Sequence, residues 1–134
     1  MYVYLFMILG VLAPLGLTST SATEPNLKPL GPAAARKQIG KEITVEMYVR
    51  AAKDRLEKRG EIYLDAELDF RDKDNFAVVI TKQGAASLKE AGIDDPAEHY
   101  KEKTIHAIGE VKIVDEVPRI EINDAKQIRF VDKK

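Results

Sequence analysis

Ile43, Val45, Met47 and Val49 alternate with Thr44, Glu46, Tyr48 and Arg50. A period of two puts apolar side chains on one face of an extended chain and polar ones on the other, so this stretch predicts a half-buried strand. Ile62, Leu64, Ala66 and Leu68 repeat the alternation against Tyr63, Asp65 and Glu67. Between the two, Lys53 to Gly60 reads as a charged connection ending in a glycine that takes positive φ at little cost. Asp69 to Asn75 is rich in turn formers and predicts a hairpin connection. Phe76 to Thr81 is a third strand whose centre is apolar on both faces. Gln83 to Ala91 then changes to helical spacing, with Gly92 as its stop. A second helical turn is expected from Asp94 or Asp95, with Pro96 at the first helical position and Glu98 near the positive end. The fourth strand runs from Thr104 through Ile105, Ala107, Val111 and Ile113, with a bend or bulge at Gly109. Val114 to Pro118 reads as a turn, Ile120 and Ile122 as the fifth strand, and Ile128 to Val131 as a short terminal strand. The order is β-β-β-α-β-β, an all-β fold with one inserted helix. Its expected core is Val45, Met47, Val49, Ile62, Leu64, Phe76, Val78, Ile80, Leu88, Ile105, Val111, Ile120 and Ile122.

The ends add a different pattern. Met1 to Ala22 carries no charged side chain, and a nearly continuous apolar run gives way to Thr18-Ser19-Thr20-Ser21-Ala22. That is the shape of a secretory signal peptide cleaved after Ala22, although no Lys or Arg precedes the apolar run. The alternative is an uncleaved anchor, but the run is short for a bilayer and is interrupted by Pro14 and Gly16. The expected organisation is a signal peptide over 1–22, a Pro-rich extended linker over 23–37 and a folded domain over 38–134. With no cysteine among its 134 residues, the domain must hold its core without disulfides. Export without disulfides points to a bacterial envelope, periplasmic or extracellular, with no membrane span after cleavage.

Three stretches carry a family resemblance. Ile39-Gly40-Lys41, followed by Ile43-Thr44-Val45, opens the first strand. Lys103-Thr104-Ile105-His106-Ala107-Ile108-Gly109-Glu110-Val111 opens the fourth. Pro118-Arg119-Ile120-Glu121-Ile122-Asn123-Asp124 leads to Gln127-Ile128. Together they resemble OB-fold domains of the nucleic-acid-binding type related to anticodon-binding modules, where a "gk-x-V-x-V-x-G-x-V" and a "P-x-I-x-v-x-d-x-x-q-I" pattern recur. With its leader, the chain is also similar to small exported bacterial OB-fold proteins, whose proposed ligands are small molecules or cations. The resemblance implies a five-stranded Greek-key barrel. The chain departs from the nucleic-acid pattern at Tyr63, which stands beside Asp65 and Glu67 rather than among basic residues.

The formal charge is −1, so the chain lacks the strongly basic footprint of most nucleic-acid binders. The charge is uneven, however. Arg36 to Arg59 holds eight basic and four acidic residues, and Glu61 to Asp74 six acidic and two basic. Tyr48, Arg50 and Tyr63 are expected on the outer strand face, with Lys53, Arg55, Lys58 and Arg59 on the adjoining loop. Rings that stack bases beside cations that track phosphate suit a single-stranded nucleic acid or another oligoanion. A tyrosine pair packing across strands and a solvated loop account for the same residues. Asp69, Asp72, Asp74 and Asn75 offer oxygen ligands, but they lack the glycine and the closing glutamate of a helical calcium loop, and a hairpin turn explains them. His99 and His106 have no metal-binding spacing and are expected at the surface. Ser87 lies in the helix, away from any nucleophile elbow. The expectation is a monomeric, non-enzymatic exported binding module without metal or cofactor. Its alternatives are a nucleic-acid binder and a structural domain meeting an envelope protein.

Overall fold

A computed structural model of the chain describes residues 28–131. The signal-peptide reading of 1–22, the first part of the linker and the last three residues lie outside that range. The elements in chain order are α1 (Pro32–Ala35), β1 (Glu42–Tyr48), β2 (Ala51–Arg55), α2 (Leu56–Arg59), β3 (Glu61–Asp65) and β4 (Ala77–Thr81). They continue with α3 (Lys82–Glu90), α4 (Pro96–Tyr100), β5 (Thr104–Glu110), β6 (Lys112–Val114), β7 (Val117–Ile122) and β8 (Ile128–Phe130). A 3-10 turn at Ala125–Gln127 precedes β8.

The strands form two sheets, a three-stranded one in the order β1-β5-β8 and a five-stranded one in the order β2-β3-β4-β7-β6. All neighbours are antiparallel except β4 and β7, whose connection runs through both inserted helices, β5 and β6. The two sheets share chain: only Val49 and Arg50 separate β1 from β2, and only Val111 separates β5 from β6. The architecture is all-β and OB-like, with the two longer helices, α3 and α4, between β4 and β5.

The apolar side chains of β1 keep period two until the chain bends, although Thr44 on the other face is buried as well. Val49 is buried, and the Arg50 N–H donates to the Asp65 carbonyl at 2.9 Å, yet the register partner of Asp65 is Ala51. Two residues thus face one, which is a β-bulge, and the outward parity shifts by one residue. The stretch read as a connection from Lys53 is therefore partly strand. Lys53 and Arg55 belong to β2, and the loop itself is only α2 and Gly60, whose φ is 75°. Leu68 is exposed beyond the end of β3, and Pro118 lies inside β7, the tight turn being confined to Asp115 and Glu116.

All thirteen residues expected in the core are buried. β4 is apolar on both faces because it is central, flanked by β3 and β7. The Thr81 hydroxyl caps α3 by accepting from the Gly84 N–H at 3.1 Å. Asp95 caps α4, whose Ala97 and Tyr100 are buried in the core cluster. Burial pushes the Tyr100 hydroxyl up to about 12.

Lys28 to Lys37, read from the sequence as the end of an extended linker, pack onto the domain. Leu30 donates to the Thr44 carbonyl at 2.9 Å and accepts from the Glu46 N–H at 2.8 Å, and Ala35 of α1 is wholly buried. The prolines disguise this, because a single helical turn and one bridge leave no periodicity to read.

Candidate nucleic-acid interface

On the five-stranded sheet, every second residue points away from the core. Ala52, Leu64, Val78 and Ile120 lie in one inward row. The outward rows between them are Arg55–Glu61–Thr81, Lys53–Tyr63–Val79–Glu121 and Ala51–Asp65–Ala77–Arg119–Lys112.

Arg119 organises this face. Its Nη2 donates to Glu61 Oε2 at 3.0 Å and to Glu121 Oε2 at 2.8 Å. The Tyr63 hydroxyl donates to Glu61 Oε1 at 2.6 Å, and Lys112 Nζ reaches Glu121 Oε1 at 3.4 Å. The Arg119 side chain is only 11% exposed, and its Nε has no partner. Burial alone would raise the Glu121 carboxyl, but Arg119 and Lys112 outweigh it and hold the group below its ordinary value. The Tyr63 hydroxyl is pushed up, first by burial and then by Glu61, with Arg59 opposing.

In the same row as Arg119, two strands away, Asp65 is 2% exposed. Its Oδ1 accepts from Asn75 Nδ2 at 3.0 Å, and its Oδ2 has no partner. Burial pushes its carboxyl up, with Asn75 and Lys53 opposing. Asn75 in turn folds the β3–β4 loop, accepting from the Glu67 N–H at 3.0 Å and donating to the Phe70 carbonyl at 3.4 Å. The loop's aspartates are turn formers: Asp69 accepts from the Arg71 N–H and Asp72 from the Asp74 N–H, each at 2.9 Å. Arg36 clasps the loop from outside, donating to the Lys73 carbonyl and lying 3.9 Å from Asp74. At the tip the Phe70 ring is 48% exposed, with Lys53 Nζ 5.0 Å and the Arg71 guanidinium 5.8 Å from its centroid. Among the described residues, no group of three or more acidic or histidine side chains is placed to hold a metal ion.

Of the seven residues singled out from the sequence, the structure gathers Lys53, Arg55, Arg59 and Tyr63. Lys53 and Tyr63 are direct register partners, Arg55 faces Glu61, and Arg59 is near enough to oppose the upward push on the Tyr63 hydroxyl. Lys58 is exposed on α2. Arg50 sits at the bulge. Tyr48 does not join the group, because it belongs to the other sheet and pairs with Thr104. The expected tyrosine pair across strands is thus absent. Sequence reading missed Phe70, Asp65 and Arg119 as members of the site and took Asn75 only as a turn former. Nothing in local spacing marks a ring inside a polar turn, or an outward polar residue, as part of a site.

The remaining reactive side chains have structural partners. The Ser87 hydroxyl accepts from the Ala125 N–H at 2.9 Å. Both histidines, expected at the surface, are half-buried. His99 stacks on Phe130 with centroids 4.7 Å apart, and burial with Lys103 holds it below its ordinary value. His106 lies in a row with Glu46 and Arg129, its Nε2 2.8 Å from Glu46 and its Nδ1 3.3 Å from Arg129. A guanidinium only donates, so Nδ1 is the acceptor and Nε2 carries the proton.

No protein-family model matches the sequence, and no curated protein matches it at a significant level. Among solved structures, the chain is similar to a putative aspartyl-tRNA synthetase from Leishmania major Friedlin, with 11% identity, a TM-score of 0.52 and 87% of this chain covered. It is also similar to the aspartyl-tRNA synthetase of Entamoeba histolytica, with 14% identity, a TM-score of 0.52 and 84% covered. The chain spans 23% of each synthetase. At these identities the likeness concerns the fold alone.

Proposed function

We propose that the chain is a non-catalytic OB-type module that binds short single-stranded nucleic acid, or a similar oligoanion, on the outer face of its five-stranded sheet. The register pair Lys53–Tyr63, with Arg59 beside the tyrosine hydroxyl, carries the reading. A ring flanked by two cations on a sheet face suits a stacked base and its phosphates. The face's glutamates support it too, because Glu61 and Glu121 are already engaged by Arg119 and Lys112. Among the described residues no ion pair takes up Lys53, Arg55, Lys58 or Arg59. Two of the similar solved structures are tRNA synthetases, which favours nucleic acid without naming a sequence.

The two sheets are, in this reading, halves of one five-stranded Greek-key barrel, with β1–β2 and β5–β6 as single bent strands. Gln127 supports closure by donating to the Ile108 carbonyl of β5 and the Glu121 carbonyl of β7, each at 2.9 Å. Residues 1–22 direct export in the same proposal. Mass spectrometry of protein from its host should then find a new N-terminus at Thr23, and an intact Met1 in a cytoplasmic fraction would remove this part.

The binding test is a titration of fluorescent oligonucleotides at low salt and at ~0.2 M salt. The expected result is weak binding that declines with salt, drops on Tyr63→Ala and is unchanged by Tyr48→Ala. The near-neutral charge predicts a shallow salt slope. No binding at low salt and high protein concentration would overturn the proposal.

A further inference from the structure

We infer that Phe70 stacks on one unpaired base and that the buried Asp65–Asn75 pair positions it for that task. The inference rests on the nucleic-acid reading of the same face. A turn of this kind needs Asp, Asn and Gly, not a phenyl ring. Phe70 nevertheless stands inside this turn, directly after Asp69, and leaves about half its surface in water.

Its position is set with unusual care for a surface loop. Asn75 is 1% exposed and uses both ends of its amide, one on the Glu67 N–H and the other on Asp65 and the Phe70 carbonyl. Asp65 supplies that anchor although burying a carboxylate is costly and its second oxygen gains no partner. A hairpin needing only to turn would not require a buried acid beneath it. The arrangement instead fixes where the ring leaves the sheet.

The charges around the ring select the occupant. Lys53 and Arg71 both lie within reach of the ring, and Lys53 is also the register partner of Tyr63. The carboxylate next to it in the chain, Asp69, is already paired with Arg71. A flat uncharged ring carrying an anionic link on either side fits this setting, which is one nucleotide of a single strand. Phe70 and Lys53 touch the ligand, and Asn75 is a positioning residue.

The test uses the full chain and a short oligonucleotide with one 2-aminopurine, whose fluorescence falls when it stacks on a ring. Binding with quenching is expected. Phe70→Leu keeps the apolar bulk and should abolish quenching while weakening affinity roughly five-fold to a hundred-fold. Asn75→Ala should lose the quenching but keep the salt slope, because the phosphate contacts come from Lys53 and α2. A variant that failed to fold would lose both. If the oligonucleotide binds and Phe70→Leu quenches as wild type does, or if only Tyr63→Leu removes the quenching, this inference falls and the reading of the face stands. If no oligonucleotide binds at low salt, both fall.

Discussion

Gly84→Ala tests how the inserted helix is seated. Gly84 lies in the first turn of α3, where alanine would ordinarily stabilise a helix by about 1 kcal/mol. Here a Cβ would stand 2.0 Å from the Ile122 carbonyl oxygen, 2.9 Å from its carbon and 3.3 Å from Ile80 Cγ2. The first two are backbone atoms of β7, so no side chain can swing aside. The helix must instead withdraw by about 1 Å, since carbon and oxygen tolerate little closer than van der Waals contact. Withdrawal pulls on the Thr81 cap, whose hydroxyl also bonds the Ile122 carbonyl at 3.1 Å. Overpacking costs about 1–3 kcal/mol and a weakened cap about 1, which together exceed the propensity gain. The expected result is a net loss of about 2 kcal/mol, or a Tm lower by roughly 10 °C in a domain of this size. Thermal denaturation followed by circular dichroism reads this directly. Gly31→Ala is the control, because nothing lies within 4 Å of its Cβ position and its φ is negative. It should cost less than about 1 kcal/mol. A Gly84→Ala protein as stable as wild type, or more so, would refute the close seating of α3 on β7.

Other outcomes follow from the polar groups of the sheet. Asp65 has a raised carboxyl, so its ionisation opposes folding. That cost is absent at low pH and grows as pH rises from the ordinary carboxylate value toward the raised folded one. Asp65→Asn should therefore gain stability over wild type at pH 7 and lose that gain below about pH 4, as read from urea midpoints; a gain independent of pH would contradict this. Glu121 has the opposite sign, its carboxyl being held down by Arg119, so the stabilisation is present above the ordinary value and lost as pH falls through the folded one. Arg119→Met should cost about 1–3 kcal/mol at pH 7, and the penalty should shrink on acidification. Gln127→Ala removes two side-chain bonds to carbonyls and two from the Asn123 and Asp124 N–H groups, which should lower stability by about 2 kcal/mol in chemical denaturation; an unchanged midpoint would count against its bridging role.

The sequence by itself determined most of the strands, the inserted helices and the inward face, because those depend on local spacing; β2, beyond the bulge, read instead as a connection. Alternation at Ile43 to Val49 and Ile62 to Leu64 names the buried side chains whatever they pack against. Gly60, Gly92 and the Asp95-Pro96 pair mark ends of elements through backbone conformations that local chemistry dictates. Tertiary structure decided which of the polar positions share a surface. The bulge at Arg50 and Ala51 shifts the parity of one bent chain, which sends Tyr48 to one sheet and joins Lys53 to Tyr63 on the other. Period two says that a side chain points outward, but not onto which sheet or beside which distant strand. The parallel pairing of β4 with β7 is what carries Arg119 to Glu61, 58 residues away in the chain. The sequence marks Asp65 as an outer-face residue and Asn75 as a turn former but not as buried, because burial of a polar group depends on partners brought by the fold, and these two meet only when the β3–β4 loop folds back on the sheet.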